Sequence, residues 1–124
     1  MDVTTITFPC VAEFVGIVRS LAATLFDPYE LGDAARLITS ELVTNSVVHS
    51  KSRYGGTVTV AFSIGESLGR IEVIDNGPDA MPIPADQLDE HRRGLRKIVD
   101  GTADKWGHDV DGGRSIYWAE LHWN

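Results

Sequence analysis

Cysteine is almost missing from this chain: a single one, Cys10, stands among 124 residues. One thiol excludes an intrachain disulfide and leaves no thiolate cluster for a structural metal. It reads as a small, partly buried residue. Basic residues are scarce as well, 11 Lys and Arg against 18 Asp and Glu, for a net charge of −7. Phosphate backbones need a basic footprint, so the balance argues against nucleic acid as the main ligand and leaves a basic protein partner open. No apolar run approaches the roughly 18 residues of a membrane span. The opening MDVTTITFPC lacks the basic-then-apolar order of a signal peptide. The expectation is a cytoplasmic protein with no membrane partner.

Several catalytic signatures are missing too. There is no GxxxxGK[ST] phosphate loop and no GxGxxG opening a βαβ unit. The HRD and DFG signatures of eukaryotic-type kinases are absent, as is the GxSxG nucleophile elbow. His49, His91, His108 and His122 fit neither HExxH nor a CxxC-based zinc pattern.

What remains is an ordinary globular composition, 43% hydrophobic and 23% charged, in a length suited to one domain, residues 1–124. VTTITF (3–8) alternates and is β-branched, so it predicts a strand ended by Pro9. Val11, Phe14, Val15, Val18, Leu21, Ala22 and Leu25 recur at helical spacing up to Phe26, before the Asp27-Pro28 break. A second helix runs from Glu30 to about His49, with Ala34, Ile38 and Leu42 facing inward. Val58 to Ile64 and Arg70 to Asp75 predict a strand hairpin. A proline-bearing loop follows over 76–91, then a helix from Gly94 to Asp104 with Leu95, Ile98 and Val99 inside. A strand begins near Trp106, turns at Gly112-Gly113, and returns as Ser115 to Trp123. The order predicts an α+β two-layer sandwich: a mixed, mostly antiparallel sheet with helices on one face.

Three segments carry chemistry. In SELVTNSVVHS (40–50), Glu41, Asn45 and His49 recur every four residues and fall within roughly 80° of one another, on the arc of Ala34, Ile38 and Leu42. A carboxylate on a core-side face is costly unless it is paired or ligand-bound. Asn offers a neutral oxygen suited to Mg²⁺, Glu can act as a base, and His49 sits where a helix C-terminus favours positive charge. The alternative is a solvent-facing helix. In IEVIDNGP (71–78) a strand ends in Asp75, which can accept a hydrogen bond from an exocyclic amine, and Gly77 allows close backbone approach. An ordinary turn explains the same residues. In RRGLRKIVDG (92–101) a glycine precedes a helix among basic residues, as at a phosphate site or on a plain surface helix.

Taken in series, these segments resemble the GHKL ATPase superfamily, and within it the small actinobacterial ATP-binding proteins related to anti-sigma-factor serine kinases. SELVTNSVVHS is similar to the N box, VIDNGP to the first glycine box, RRGLRKIVDGTADKWG to the second, and GGRSIYWAEL to the closing strand. The resemblance implies a Bergerat-type fold binding ATP and Mg²⁺. Glu41 matches the general base, Asn45 the Mg²⁺ ligand, Asp75 the adenine-binding aspartate and Gly77 the glycine beneath the base. Arg93, Gly94 and Leu95 match the phosphate-side turn, His49 the end of the N box, and Ser115 a threonine that helps hold the adenine region. Asp79 to His91 is the implied lid. The chain departs from the family where G-x-G-L is usual, since Arg92 replaces the first glycine.

Two functions stay open on the sequence. One is an ATP-dependent serine/threonine protein kinase acting on a sigma factor or an anti-sigma antagonist in transcription regulation. The other is a nucleotide-responsive module that sequesters such a partner without chemistry, which Arg92 favours. A two-component histidine kinase is a poorer match, because 124 residues leave no room for a dimerisation helix pair. Relatives of this type often form homodimers, which nothing in the sequence tests.

Overall fold

The structure, a computed structural model, describes residues 2–78 and 97–124. Among them are strands β1 (Asp2–Pro9), β2 (Thr57–Ile64), β3 (Leu68–Asp75), β4 (Lys105–Asp111) and β5 (Arg114–His122), and helices α1 (Val15–Phe26) and α2 (Gly32–His49). Short 3₁₀ turns occupy Ala12–Phe14, Asp27–Tyr29 and Lys51–Arg53. Residues 97–102 are helical. The strands form one sheet in the order β1-β2-β3-β5-β4. Every pairing is antiparallel, so the mixed character expected from the sequence is not found among the described residues.

Alternation along the strands separates two faces. Val58, Val60 and Phe62 of β2, Ile71 and Val73 of β3, and Ala119 and Leu121 of β5 are buried in one cluster with Val18, Ala22 and Phe26 of α1 and Ile38, Leu42 and Val43 of α2. On the opposite face the guanidinium of Arg70 lies 4.4 Å from the centre of the Trp118 ring and donates to Glu72 at 2.7 Å. The two-layer sandwich is therefore covered by helices on one side, as its period-2 strands require.

The buried arc of α2 is wider than the sequence suggested. Ala35, Ile38, Thr39, Leu42, Val43, Asn45 and Ser46 are buried, whereas Ala34 is only partly so. The helix packs against both α1 and the sheet, and so it needs more than one apolar stripe. The start of α2 also shifts: Glu30 takes a left-handed conformation, φ 59°, which stops the 3₁₀ turn and delays the helix to Gly32. On residues 97–102 Val99 is buried and Ile98 half-buried, while Leu95 lies outside the described residues.

At the far end of the sheet, the Trp123 ring stacks on Tyr29 with centroids 4.3 Å apart and meets Phe26 edge-on. Gly69 makes room for this cluster: a Cβ there would collide with the Phe26 ring. Gly69→Ala should therefore cost about 1–3 kcal/mol by overpacking. Urea denaturation should show a lower midpoint with an unchanged slope.

Candidate functional site

The helix-covered face of the sheet is apolar until β3 ends. There Asp75, only 3% exposed, stands directly across from Ser115 of β5, which is equally buried. Two neighbours hold the carboxylate. The Ser46 hydroxyl of α2 donates to Oδ2 at 2.5 Å, a length typical of a charge-assisted bond. The backbone N–H of Gly77 donates to Oδ1 at 2.8 Å, closing a turn of the chain around its own side chain. A carboxylate accepts at about four positions, so capacity remains for further donors. Burial pushes the Asp75 pKa above the ordinary carboxylate value, and Ser46, Gly77 and the positive charge of His108 pull it part of the way back.

The segment after Asp75 is pinned to the end of α2. The N–H of Asn76 donates to Ser52 Oγ at 2.9 Å, and the Lys51 N–H donates to the Gly77 carbonyl at 2.8 Å. Ser50 pairs with Pro78 in an isolated antiparallel bridge, and its hydroxyl accepts from the Ser52 N–H at 3.1 Å. Gly77 has φ 95°, and a Cβ there would strike the carbonyl oxygen of Gly113. The glycine is thus required by the fold itself, through a left-handed backbone and close packing against the β4–β5 turn. That turn is a two-residue connection with positive φ at both Gly112 and Gly113, as a tight hairpin of this twist demands.

Of the residues singled out in the sequence, the structure brings Asn45, Asp75, Gly77 and Ser115 to this region as buried groups. Glu41 and His49 lie on the margin of α2's buried arc, half-exposed, one turn to either side of Asn45. Arg92, Arg93, Gly94 and Leu95, with the Asp79–His91 lid, lie outside the described residues. Among the described residues, no cluster of three or more His, Cys, Asp or Glu could by itself hold a metal ion.

Sequence reasoning missed the serines. Ser46, Ser50 and Ser52 are all buried, and all serve the Asp75–Pro78 segment. For Ser46 the signal was a small polar residue next to the apolar positions of α2; Ser50 and Ser52 lie just beyond its end. Cys10 also borders the site: its N–H donates to the Gly56 carbonyl, and its thiol lies 3.8 Å from the Ser46 carbonyl. Burial, then the charge of Asp75, raises the Cys10 pKa against a lowering hydrogen bond with Ser50.

The raised Asp75 pKa fixes a sign. A group whose folded pKa lies above its unfolded value favours the fold fully below the unfolded pKa, and loses that contribution as pH rises through the folded pKa. Ionisation of Asp75 as the pH rises therefore weighs against folding. An amide satisfies both neighbours, with its oxygen accepting from Gly77 and its nitrogen donating to Ser46 Oγ. Asp75→Asn should be more stable than the wild type at neutral pH, with the gap closing in the acid range. Denaturation midpoints across pH check this, and a less stable variant with a pH-independent gap would contradict it.

No known family profile matches the sequence, and no curated protein matches it. The fold does match solved structures. One is the crystal structure of the RsbU and RsbW domains of Rv1364c from Mycobacterium tuberculosis, with a TM-score of 0.75 over 99% of this chain at 14% identity. This chain spans 33% of that chain's length. The likeness shows the fold, a two-layer α+β sandwich of the kind expected from the sequence. No described helix is long and apolar enough to cross a membrane.

Proposed function

We propose that this chain is an ATP- and Mg²⁺-binding regulator of the anti-sigma serine kinase type, acting on a sigma factor or on its antagonist. The observation that carries the reading is the Asp75 carboxylate, buried at a strand end with one donor on each oxygen and acceptor capacity to spare. An adenine amine suits that capacity, and Ser115 opposite adds a hydroxyl to the same region. The fold shared with a structure that includes an RsbW domain supports the class of partner.

The donor chemistry of α2 fits the rest of the ligand. Asn45 supplies an amide oxygen, the kind of hard ligand Mg²⁺ accepts alongside phosphate oxygens and water. When bound, MgATP supplies the phosphoryl group and the cation that neutralises charge developing on it. On the kinase reading Glu41, half-exposed one turn before Asn45, accepts the proton of a serine or threonine hydroxyl of the partner. His49, one turn after Asn45, puts an imidazole at the helix C-terminus, where positive charge is favoured. Arg93, Gly94 and Leu95 complete the proposal as the phosphate-side turn.

A second reading rests on Arg92. With an arginine in place of the first glycine of G-x-G-L, the chain binds nucleotide and sequesters its partner without transferring phosphate. Calorimetry and a phosphorylation assay separate the two readings. MgATP should bind the wild type with micromolar affinity, and Asp75→Asn should weaken it about 100-fold, the scale of one hydrogen bond to a charged group. On the kinase reading, Glu41→Ala should retain binding and lower phosphotransfer to a partner by about 10²–10⁴-fold. Nucleotide-dependent partner capture with no phosphoprotein would establish the second reading. Absence of MgATP binding by the wild type would refute both.

A further inference from the structure

The two edges of the sheet differ in how they meet solvent. β4, at one edge, carries Lys105, Asp109 and Asp111, all exposed, and such charges deter a second strand. β1, at the other edge, is 8 residues long and pairs with β2 residue for residue, without a bulge. Its sequence, DVTTITFP, has Asp2 as its single charge and holds its proline at the last position. Val3 is 60% exposed on it. An edge of this kind is a template for another strand.

Hydrogen bonding fixes which residues face outward. The Cys10 N–H donates to the Gly56 carbonyl at 3.1 Å, in the register of the β1–β2 ladder. An antiparallel ladder bonds every second residue pair. Thr4, Ile6 and Phe8 therefore turn their backbone groups toward β2, and Val3, Thr5 and Thr7 turn theirs away. The far side of β2 agrees. There the Gly65 N–H donates to the Leu68 carbonyl at 2.8 Å, so the alternate residues Val58, Val60 and Phe62 are the ones left to bond β1. Pro9 falls on the outward side, where its missing N–H costs no ladder bond, and its carbonyl accepts from the Val11 N–H at 2.8 Å. Among the described residues, no strand covers the outward side of β1.

We propose that the occupant of this edge is β1 of a second copy of the chain, running antiparallel about a twofold axis at Thr5. In that register Thr5 opposes Thr5 of the second copy and Val3 opposes Thr7. Every outward-facing residue before Pro9 then meets another outward-facing one and exchanges two hydrogen bonds with it. Sliding by two residues either sets Val3 opposite Pro9, which lacks an N–H, or carries Thr7 past the start of the strand. The side chains suit the same register. On the open face Val3 lies beside Thr7, and on the helix-covered face Thr4 lies beside the half-buried Ile6. The two Asp2 carboxylates stand at opposite ends of the seam, so no like charges meet. The pairing joins two five-stranded sheets into one. The axis is perpendicular to that sheet, so the helices of both copies, and with them both candidate sites, lie on one face. A seam of one strand pair falls below the ~1,200 Å² of a standard interface, so the dimer forms and dissociates with concentration. The inference does not depend on nucleotide binding.

Analytical ultracentrifugation of the whole chain across a concentration series tests the seam. The wild type should pass from the mass of one chain toward that of two as concentration rises. Thr5→Lys, at an exposed side chain, sets like charges opposite one another on the axis and should stay monomeric throughout at low salt. Thr5→Pro removes an outward N–H that the monomer does not use and should do the same. Val110→Lys, on the other edge, should associate as the wild type does. Amide hydrogen exchange reads the register without any variant. Protection at Val3, Thr5 and Thr7 should rise with concentration, while Thr4, Ile6 and Phe8, already bonded to β2, should not change. A wild type that stays monomeric at every concentration, a dimer that survives Thr5→Lys, or exchange at Val3, Thr5 and Thr7 that ignores concentration would overturn the proposal.

Discussion

Asp75 is a charged group placed where water barely reaches, and the chain around it is arranged to keep it there. A buried carboxylate with no partners is expelled or protonated. Here the Ser46 hydroxyl and the Gly77 N–H each satisfy one oxygen, and each donor has its own support. Ser46 is fixed by the buried arc of α2. Gly77 is fixed by a left-handed backbone, by the Lys51 N–H on its carbonyl, and by the Gly113 carbonyl packed where a side chain would stand. Removing any of these loosens a group whose ionised form already weighs against folding. A structural role alone would be met more cheaply by an amide, which is why the carboxylate points to a ligand.

The two-layer fold turns that local arrangement into a site. Antiparallel pairing sets β3 beside β5, so Asp75 meets Ser115 and, two residues along, Val73 meets Tyr117. The packing of α2 over β3 brings Asn45 and Ser46 to the same end, with Glu41 and His49 half-exposed at the margin. Apolar contacts hold the rest of the sandwich, and the aromatic cluster of Phe26, Tyr29 and Trp123 closes the opposite end, around Gly69. The candidate site and the aromatic cluster thus occupy different ends of one sheet.

Most of the architecture was legible in the sequence, because period-2 and helical spacings are direct consequences of burial on one face. The hairpin of β2 and β3, the glycine turn before β5 and both helices followed from that logic. Asp75 and Ser115 were legible only through the order of motifs; neither pattern nor composition puts them face to face, and the pairing of β3 with β5 does. The all-antiparallel pairing was not legible, since periodicity gives strands and not their directions. Ser46 was hidden for a similar reason. Its neighbours Glu41, Asn45 and His49 drew the helical arc to one side, whereas contact with α1 as well as the sheet widened the buried arc to include Thr39, Val43 and Ser46. Gly77 was read as room for a base, and the structure gives it a second reason in the Gly113 carbonyl.

The central claim is that Asp75 keeps acceptor capacity for a ligand donor beyond the two that the described residues supply. The most direct measurement is the titration of the Asp75 side-chain carboxyl by carbon-13 NMR, with and without MgATP. A base amine donating to the carboxylate favours its charged form, so the account predicts a pKa raised by burial in the free protein and a clear downward move on binding. A carboxyl that titrates identically with and without saturating MgATP would contradict it.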